Sequence, residues 1–352
     1  MSAHFRRRPE MTSTDYVQIA VVAPPKTRED CFEPTDWARL ERCCQVAYVQ
    51  SSKWDAVEAA EVMAGAQVVL TGWGTGALTE AVLSPAPDLK LWVHSAGSMA
   101  TMATPAVFDR GVLMSTANDV LARGVAEFAL GMTVMALKQV VAVNRDLHAG
   151  VPWREARGTH NSRELCNLRV GIAGFGRVGR HLARLLESFN GLDVVVSDPF
   201  VDESVLKEHG VTRVSLEELC ATSTVIHNCV PWTEKTVGLF TRELFQSMPD
   251  GAVFLNTGRG ATVDEAALIE ELQTGRLCAC LDVTYPEPPA EGSPFYSLPN
   301  CLLTPHIAGA VANGRKLLGR FAVDEILRFL DGRPLVGQIS QREVEGMTGG
   351  KG

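Results

Sequence analysis

The chain has 352 residues, 46% of them hydrophobic and 21% charged, enough apolar material for one large or two ordinary cores, so disorder as the main state is excluded. With 33 basic against 41 acidic side chains the formal charge is -8, which disfavours nucleic acid as a partner; the one basic run, Arg6 to Arg8, falls in an expected tail. No stretch approaches the roughly 18 unbroken apolar residues of a spanning helix, and Met1 to Arg8 holds no apolar segment, so a cytoplasmic protein without a membrane partner is expected.

Short β-branched runs alternate with helical patterns along most of the length, which predicts an α/β fold built on parallel sheets. The first strand candidates are Val17 to Val22, Gln45 to Val49, Gln67 to Thr71, Leu89 to Ser95 and Val112 to Ser115, one small doubly wound unit. A long helix is predicted from Asn118 to about Ala149, with Gly150 and Pro152 beyond its end. Its apolar residues occupy more than one face, so part of it should be buried against another domain or subunit. A second series follows at Arg169 to Ala173, Asp193 to Ser197, Thr224 to Val230, Gly251 to Asn256, Leu277 to Val283 and Cys301 to Thr304. Six strands suit a full dinucleotide-binding sheet. A last helix is expected over Gly314 to Leu330, stopped by Asp331-Gly332-Arg333-Pro334, and the end after Gln341 offers nothing to pack. The nine cysteines show no paired framework and no metal-type spacing with histidine; reduced core thiols and no metal site are expected.

Gly174-Phe175-Gly176-Arg177-Val178-Gly179 matches G-x-G-x-x-G between the apolar strand Val170-Gly171-Ile172-Ala173 and an amphipathic helix at Arg180 to Ser188. In that setting the first glycine makes the tight turn, the second lets a pyrophosphate approach the backbone, and the third packs helix on strand. The next strand ends on Asp198, where a carboxylate can accept both ribose hydroxyls of an adenosine. Gly72-Trp73-Gly74-Thr75-Gly76-Ala77 fits a looser version of the motif, yet the following strand ends in His94-Ser95 without an acid, so it is read as a different loop.

Three polar residues stand at strand ends downstream: Arg259 in Asn256-Thr257-Gly258-Arg259-Gly260, Glu287 after Leu281-Asp282-Val283, and His306 in Thr304-Pro305-His306-Ile307-Ala308-Gly309. In that order, behind a glycine loop, the chain resembles the NAD-dependent D-isomer-specific 2-hydroxyacid dehydrogenases over nearly its whole length. The resemblance implies a Rossmann dinucleotide domain, residues 119–306, inserted into a flavodoxin-like substrate domain, residues 1–118 and 307–352, with the active cleft between them. It implies NAD as cofactor and hydride transfer between NAD(H) and a D-2-hydroxy acid or its 2-keto acid. Arg259 would hold the substrate carboxylate and carbonyl, His306 would be the acid/base, and Glu287 would pair with the imidazole. Asp282 would contact the nicotinamide side, and Pro231, Thr236, Thr257 and Gly258 would join the glycine loop around the cofactor. Ala96, Gly97 and Ser98 would bind the substrate carboxylate through backbone N–H groups, and a homodimer is implied. The residue types agree with this chemistry, since oxidising a secondary alcohol needs a proton acceptor near neutral pH and a guanidinium fork suits a planar carboxylate.

Among the other histidines, His227 lies inside a strand and His181 on the helix after the glycine loop, whereas His94 beside the substrate loop is the serious competitor for acid/base. Departures from the family pattern are equally informative. Cys229 replaces a histidine common in relatives, and Glu287 argues against the formate-specific branch, which uses Gln. Gly72-Trp73-Gly74 stands where phosphate-using relatives present a cation, with no Lys or Arg between Lys53 and Lys90. The expectation is an unphosphorylated substrate, glyoxylate, hydroxypyruvate or an apolar keto acid, with Trp73 against its side chain or else covering the domain's own core. A non-enzymatic NADH-sensing corepressor of the same fold is the alternative.

Overall fold

The computed structural model describes residues 16–347; the basic run Arg6 to Arg8 lies outside the described residues. The chain divides into two compact units, one of residues 16–120 and 312–346, the other of residues 121–311 with residue 347.

In the first unit, β1 (Val17–Val21), β2 (Cys44–Tyr48), β3 (Val68–Thr71), β4 (Leu91–His94) and β5 (Leu113–Thr116) form a parallel sheet in the order 2-1-3-4-5, the flavodoxin-like arrangement. The short strand Gln338–Ile339 adds to β5 antiparallel. Helix Asn313–Leu330 covers one face, with Ala322, Val323 and Ile326 among Ile19, Val21, Leu70 and Val93. The segment after it was not expected to pack. Helix Gln341–Glu345 nevertheless forms behind a reciprocal cap between Ser340 and Glu343, and Val344 is buried.

In the second unit, β6 (Arg169–Ala173), β7 (Asp193–Ser197), β8 (Thr212–Arg213), β9 (Val225–Asn228), β10 (Val253–Asn256), β11 (Cys278–Leu281) and β12 (Cys301–Leu303) form one parallel sheet in the order 8-7-6-9-10-11-12. Counted from β6 this is 3-2-1-4-5-6-7, the Rossmann order with one strand more. Seven strands replace the six expected because β8, two residues long, carries no run that a sequence pattern registers. Alternate residues face opposite cores: Val253 and Leu255 pack with Leu182 and Leu186, whereas Phe254 packs with Phe240 and Phe245. Burial on both faces explains why these strands read as continuous apolar runs.

The helix expected over Asn118 to Ala149 is two helices, Asn118–Leu137 and Val140–His148, broken where Gln139 adopts φ 55°. A further helix, Trp153–Thr159, follows. The first of the pair is long and apolar enough to cross a membrane, but Ala126, Ala129, Ala136 and Leu137 lie in the core beside Val170, Ile172 and Leu255. These residues pack the helix onto its own dinucleotide unit. None of the nine cysteines is in a disulfide.

Candidate active site

The carboxyl ends of β6, β9, β10, β11 and β12 carry the polar residues singled out above, and the order of strands reverses at β6, where open α/β sheets bind ligands. Gly174 follows β6 with φ +85°, and a Cβ there would lie 2.9 Å from the Cys229 carbonyl group. At Gly179 a Cβ would lie 2.6 Å from the Gly174 oxygen and 3.2 Å from Ile172 Cγ2, so this glycine permits close packing of helix Arg177–Leu186 on β6. Gly176 is exposed with nothing within 4 Å of where its Cβ would stand. One glycine for the turn, one for helix packing and one facing open space at a helix start is the arrangement a pyrophosphate requires. Arg177 and Val178 are half-buried in the first turn, whereas the Phe175 ring is in the core, edge-on to His209.

Asp198 closes β7 and ties the loop down: Oδ2 accepts from Phe175 N at 2.7 Å and Oδ1 from Phe200 N at 2.8 Å. Each carboxylate oxygen has a second acceptor site, so the group can still receive ribose hydroxyls. Arg213, on β8, donates to the Asp198 and Val201 carbonyl oxygens. Pro231 and Thr236 belong to the loop after β9, and the Thr236 hydroxyl is used inside it, donating to the Pro231 oxygen at 2.6 Å.

Arg259 is placed by a buried network that the sequence reading missed. Asn228 and Asn256 end neighbouring strands in register. Asn228 Nδ2 donates to Asn256 Oδ1 (3.2 Å) and Thr262 Oγ1 (2.7 Å), while Thr262 Oγ1 and Asn256 Nδ2 donate to the Arg259 oxygen at 2.7 and 3.2 Å. Thr257 N donates to the Asn228 oxygen. The flanking glycines are forced by close approach: a Cβ on Gly258 would lie 2.7 Å from the Val230 oxygen, and one on Gly260 2.0 Å from the Thr284 carbonyl carbon. Two polar ends on adjacent apolar strands are the signal that marks this network. Burial lowers the Arg259 pKa and the nearby Glu287 opposes that shift; a guanidinium keeps its proton regardless.

Asp282 is 3% exposed. Its Oδ1 accepts from Thr304 Oγ1 (2.7 Å) and Ile307 N (2.8 Å), and its Oδ2 from Ala308 N (2.9 Å). The structure thus places Asp282 as the clamp of the turn that carries His306, whose own N–H donates to the Asp282 oxygen at 2.9 Å. His306 has φ 55°, a conformation uncommon for a residue with a side chain and held here by the surrounding bonds. Its Nδ1 lies 2.7 Å from Glu287 Oε1. A carboxylate only accepts, so the proton of this bond sits on Nδ1 and Nε2 is left to exchange protons.

His94, the competitor, is 2% exposed, bonded through Nδ1 to Thr71 Oγ1 at 2.9 Å and pushed down to about 3 by burial. It is a neutral core residue. His227 is likewise pushed down to about 3 by burial, and burial raises the Cys229 thiol to about 12. In the first unit, Thr116 Oγ1 reaches both the Ala96 and Gly97 oxygens at 2.8 Å. Because C=O and N–H point oppositely in a trans peptide, the Gly97 and Ser98 N–H groups face away from Thr116. Trp73 is 40% exposed, and Arg315 stands over its ring, 5.7 Å from the centroid. A cation from the returning segment therefore occupies the place where the local sequence offered none.

Residues 130–308 match the family described as D-isomer specific 2-hydroxyacid dehydrogenase, NAD binding domain. The chain belongs to the D-isomer specific 2-hydroxyacid dehydrogenase family. A D-3-phosphoglycerate dehydrogenase of Archaeoglobus fulgidus is 30% identical over 265 residues, 75% of this chain and 50% of that protein. A glyoxylate reductase of Aeropyrum pernix is 29% identical over 257 residues, 72% of this chain and 76% of that protein. The crystal structure of a phosphoglycerate oxidoreductase from Rhizobium etli matches with a TM-score of 0.79 at 25% identity, covering 93% of this chain and 99% of that one. The chain spans about half the length of the D-3-phosphoglycerate dehydrogenases it matches, 50% and 56% in two of them. The matched segment is the family's NAD-binding domain, so the cofactor is NAD.

Proposed function

We propose that the protein interconverts a D-2-hydroxy acid and its 2-keto acid with NAD(H). The observation that carries this reading is the 2.7 Å His306–Glu287 pair at the same carboxyl-end face of the sheet as Arg259 and the glycine loop. In the reductive direction Arg259 binds the keto acid carboxylate and carbonyl through its fork. His306 Nε2 donates a proton to the carbonyl oxygen, and the Glu287 carboxylate stabilises the imidazolium before transfer and fixes the ring afterwards. NADH, when bound, supplies the hydride that reduces the carbonyl carbon. We assign to Gly97 and Ser98 N–H groups a share in holding the substrate carboxylate.

The substrate we favour is unphosphorylated. Arg315 is already bonded to Asp30 at 2.8 Å, and the open cavity there is lined by Glu29, Asp30 and Glu33 against Arg315 and Lys316. A dianion would have to displace Asp30 and meet two further carboxylates, and an unmade charge-assisted bond weighs about 10-fold to 150-fold in specificity. The exposed surface of Val140, Val141 and Trp153 is the one we assign to a second copy of the chain, and nine cysteines outside disulfides suit a cytoplasmic setting. The test is kcat/KM for glyoxylate, hydroxypyruvate, branched-chain keto acids and 3-phosphohydroxypyruvate with NADH. A preference for the phosphorylated acid that Arg315→Met abolishes would overturn the substrate choice.

A further inference from the structure

We infer that Glu265 is a positioning residue for the Glu287–His306 pair, anchoring through a single backbone amide the strap that delivers Glu287. This rests on the reading that Glu287 and His306 perform the acid/base step. Glu265 is the first residue of helix Glu265–Gln273, whose capping is done by its neighbour, since Asp264 Oδ1 accepts from Ala267 N at 3.0 Å. Its carboxylate is therefore not used by the helix. Oε1 instead accepts from Tyr285 N at 2.7 Å, two residues before Glu287.

The rest of the strap has little freedom. Thr284 is pressed against Gly260, where even a Cβ would overlap it. Thr284 Oγ1 donates to the Pro286 oxygen at 2.8 Å, and the Tyr285 ring meets Trp232 edge-on at 5.3 Å. Within this frame Glu265 makes the bond that fixes the peptide plane between Thr284 and Tyr285.

Glu265 is also the partner that can change charge. The groups facing it are the Tyr285 amide and, on β12, the Cys301 thiol, which burial pushes up to about 12 and which is therefore neutral. On helix Arg242–Ser247, Arg242 is engaged by Glu270 and Glu243 by Thr241; on its own helix Asp264 serves as the cap, and on the strap Glu287 is held by His306. With no cation among the described residues against it, burial raises the Glu265 carboxyl to about 7, the Tyr285 bond pulling the other way. Ionised, it holds the Tyr285 amide with a charge-assisted bond; protonated, with an ordinary one of about half the strength. The strap is thus held more firmly above neutrality than below it.

Two measurements on the full chain test this, one of them independent of turnover. Trp232 fluorescence, assigned by its loss in Trp232→Phe, should titrate between about pH 6 and 8 in the wild type and stay flat in Glu265→Gln. For keto acid reduction, the wild type should lose kcat on the acid side as Glu265 protonates. Glu265→Gln should lack the acid-side fall and show at about pH 8 a kcat lowered about fivefold with keto acid KM within about twofold, the scale of a charge-assisted bond made neutral. Superimposable fluorescence and kcat profiles for wild type and Glu265→Gln overturn the proposal, as does a wild type whose Trp232 signal has no midpoint in that range. A wild type inert on every keto acid refutes the function instead, and the fluorescence titration then decides this inference alone.

Discussion

Replacing Asp282 by Asn exchanges one atom in a carboxylate that is 3% exposed and accepts three hydrogen bonds, at 2.7, 2.8 and 2.9 Å. An amide oriented with its oxygen toward Thr304 and Ile307 turns its –NH2 against the Ala308 N–H, donor facing donor; the other orientation sacrifices two bonds. One buried donor left unmade costs about 1–3 kcal/mol, and two bonds to a neutral instead of a charged acceptor lose about 1 kcal/mol each. The side chain keeps its volume, so no cavity adds to the expected loss of about 3–5 kcal/mol. Urea unfolding followed by circular dichroism measures it. The same turn holds His306, so kcat for keto acid reduction should fall by at least about tenfold in the folded variant, the scale of a displaced acid/base. A variant within about 0.5 kcal/mol of wild type and fully active would refute the clamp assigned to Asp282.

Arg259→Lys keeps the charge but loses the fork, so kcat/KM for keto acids should drop by at least about 100-fold with NADH affinity nearly unchanged, measured by steady-state kinetics beside NADH titration; retained activity contradicts the assigned role. Asp198 accepts from two loop amides and would oppose a 2′-phosphate, so NADH should be preferred to NADPH, and Asp198→Ala should relax that preference by about 1–3 kcal/mol. Equal use of the two cofactors by the wild type would remove Asp198 from this role.

How much of this was legible depended on whether an interaction is local in the chain. The glycine loop needs only a strand, a turn and a helix in sequence; Gly174 makes the turn and Gly179 packs helix on strand as expected, while Gly176 faces open space. His306 and Glu287 were readable as types at strand ends, and the 2.7 Å bond between them follows from the loops of β11 and β12 being neighbours. Asp282 as a clamp was not readable, because its three donors lie in the next loop and nothing in its own segment marks them. Arg315 over Trp73 was hidden for the same reason: the cation comes from a returning helix, so counting charges near Trp73 missed it. Gln139 escaped because the apolar pattern runs unbroken across a break made by one left-handed residue. The cap at Ser340 and Glu343 was written as S-x-x-E and was overlooked beside a glycine-rich end.

The central claim is that His306 moves the proton while NADH reduces a 2-keto acid. The measurement that tests it most directly is NADH consumption by wild type and His306→Ala over a panel of 2-keto acids, with NADH binding measured in parallel. The account predicts turnover by the wild type and a loss of about 100-fold to 10,000-fold in the variant with NADH still bound. A variant as active as the wild type, or a wild type that consumes NADH with none of these acids, would contradict it.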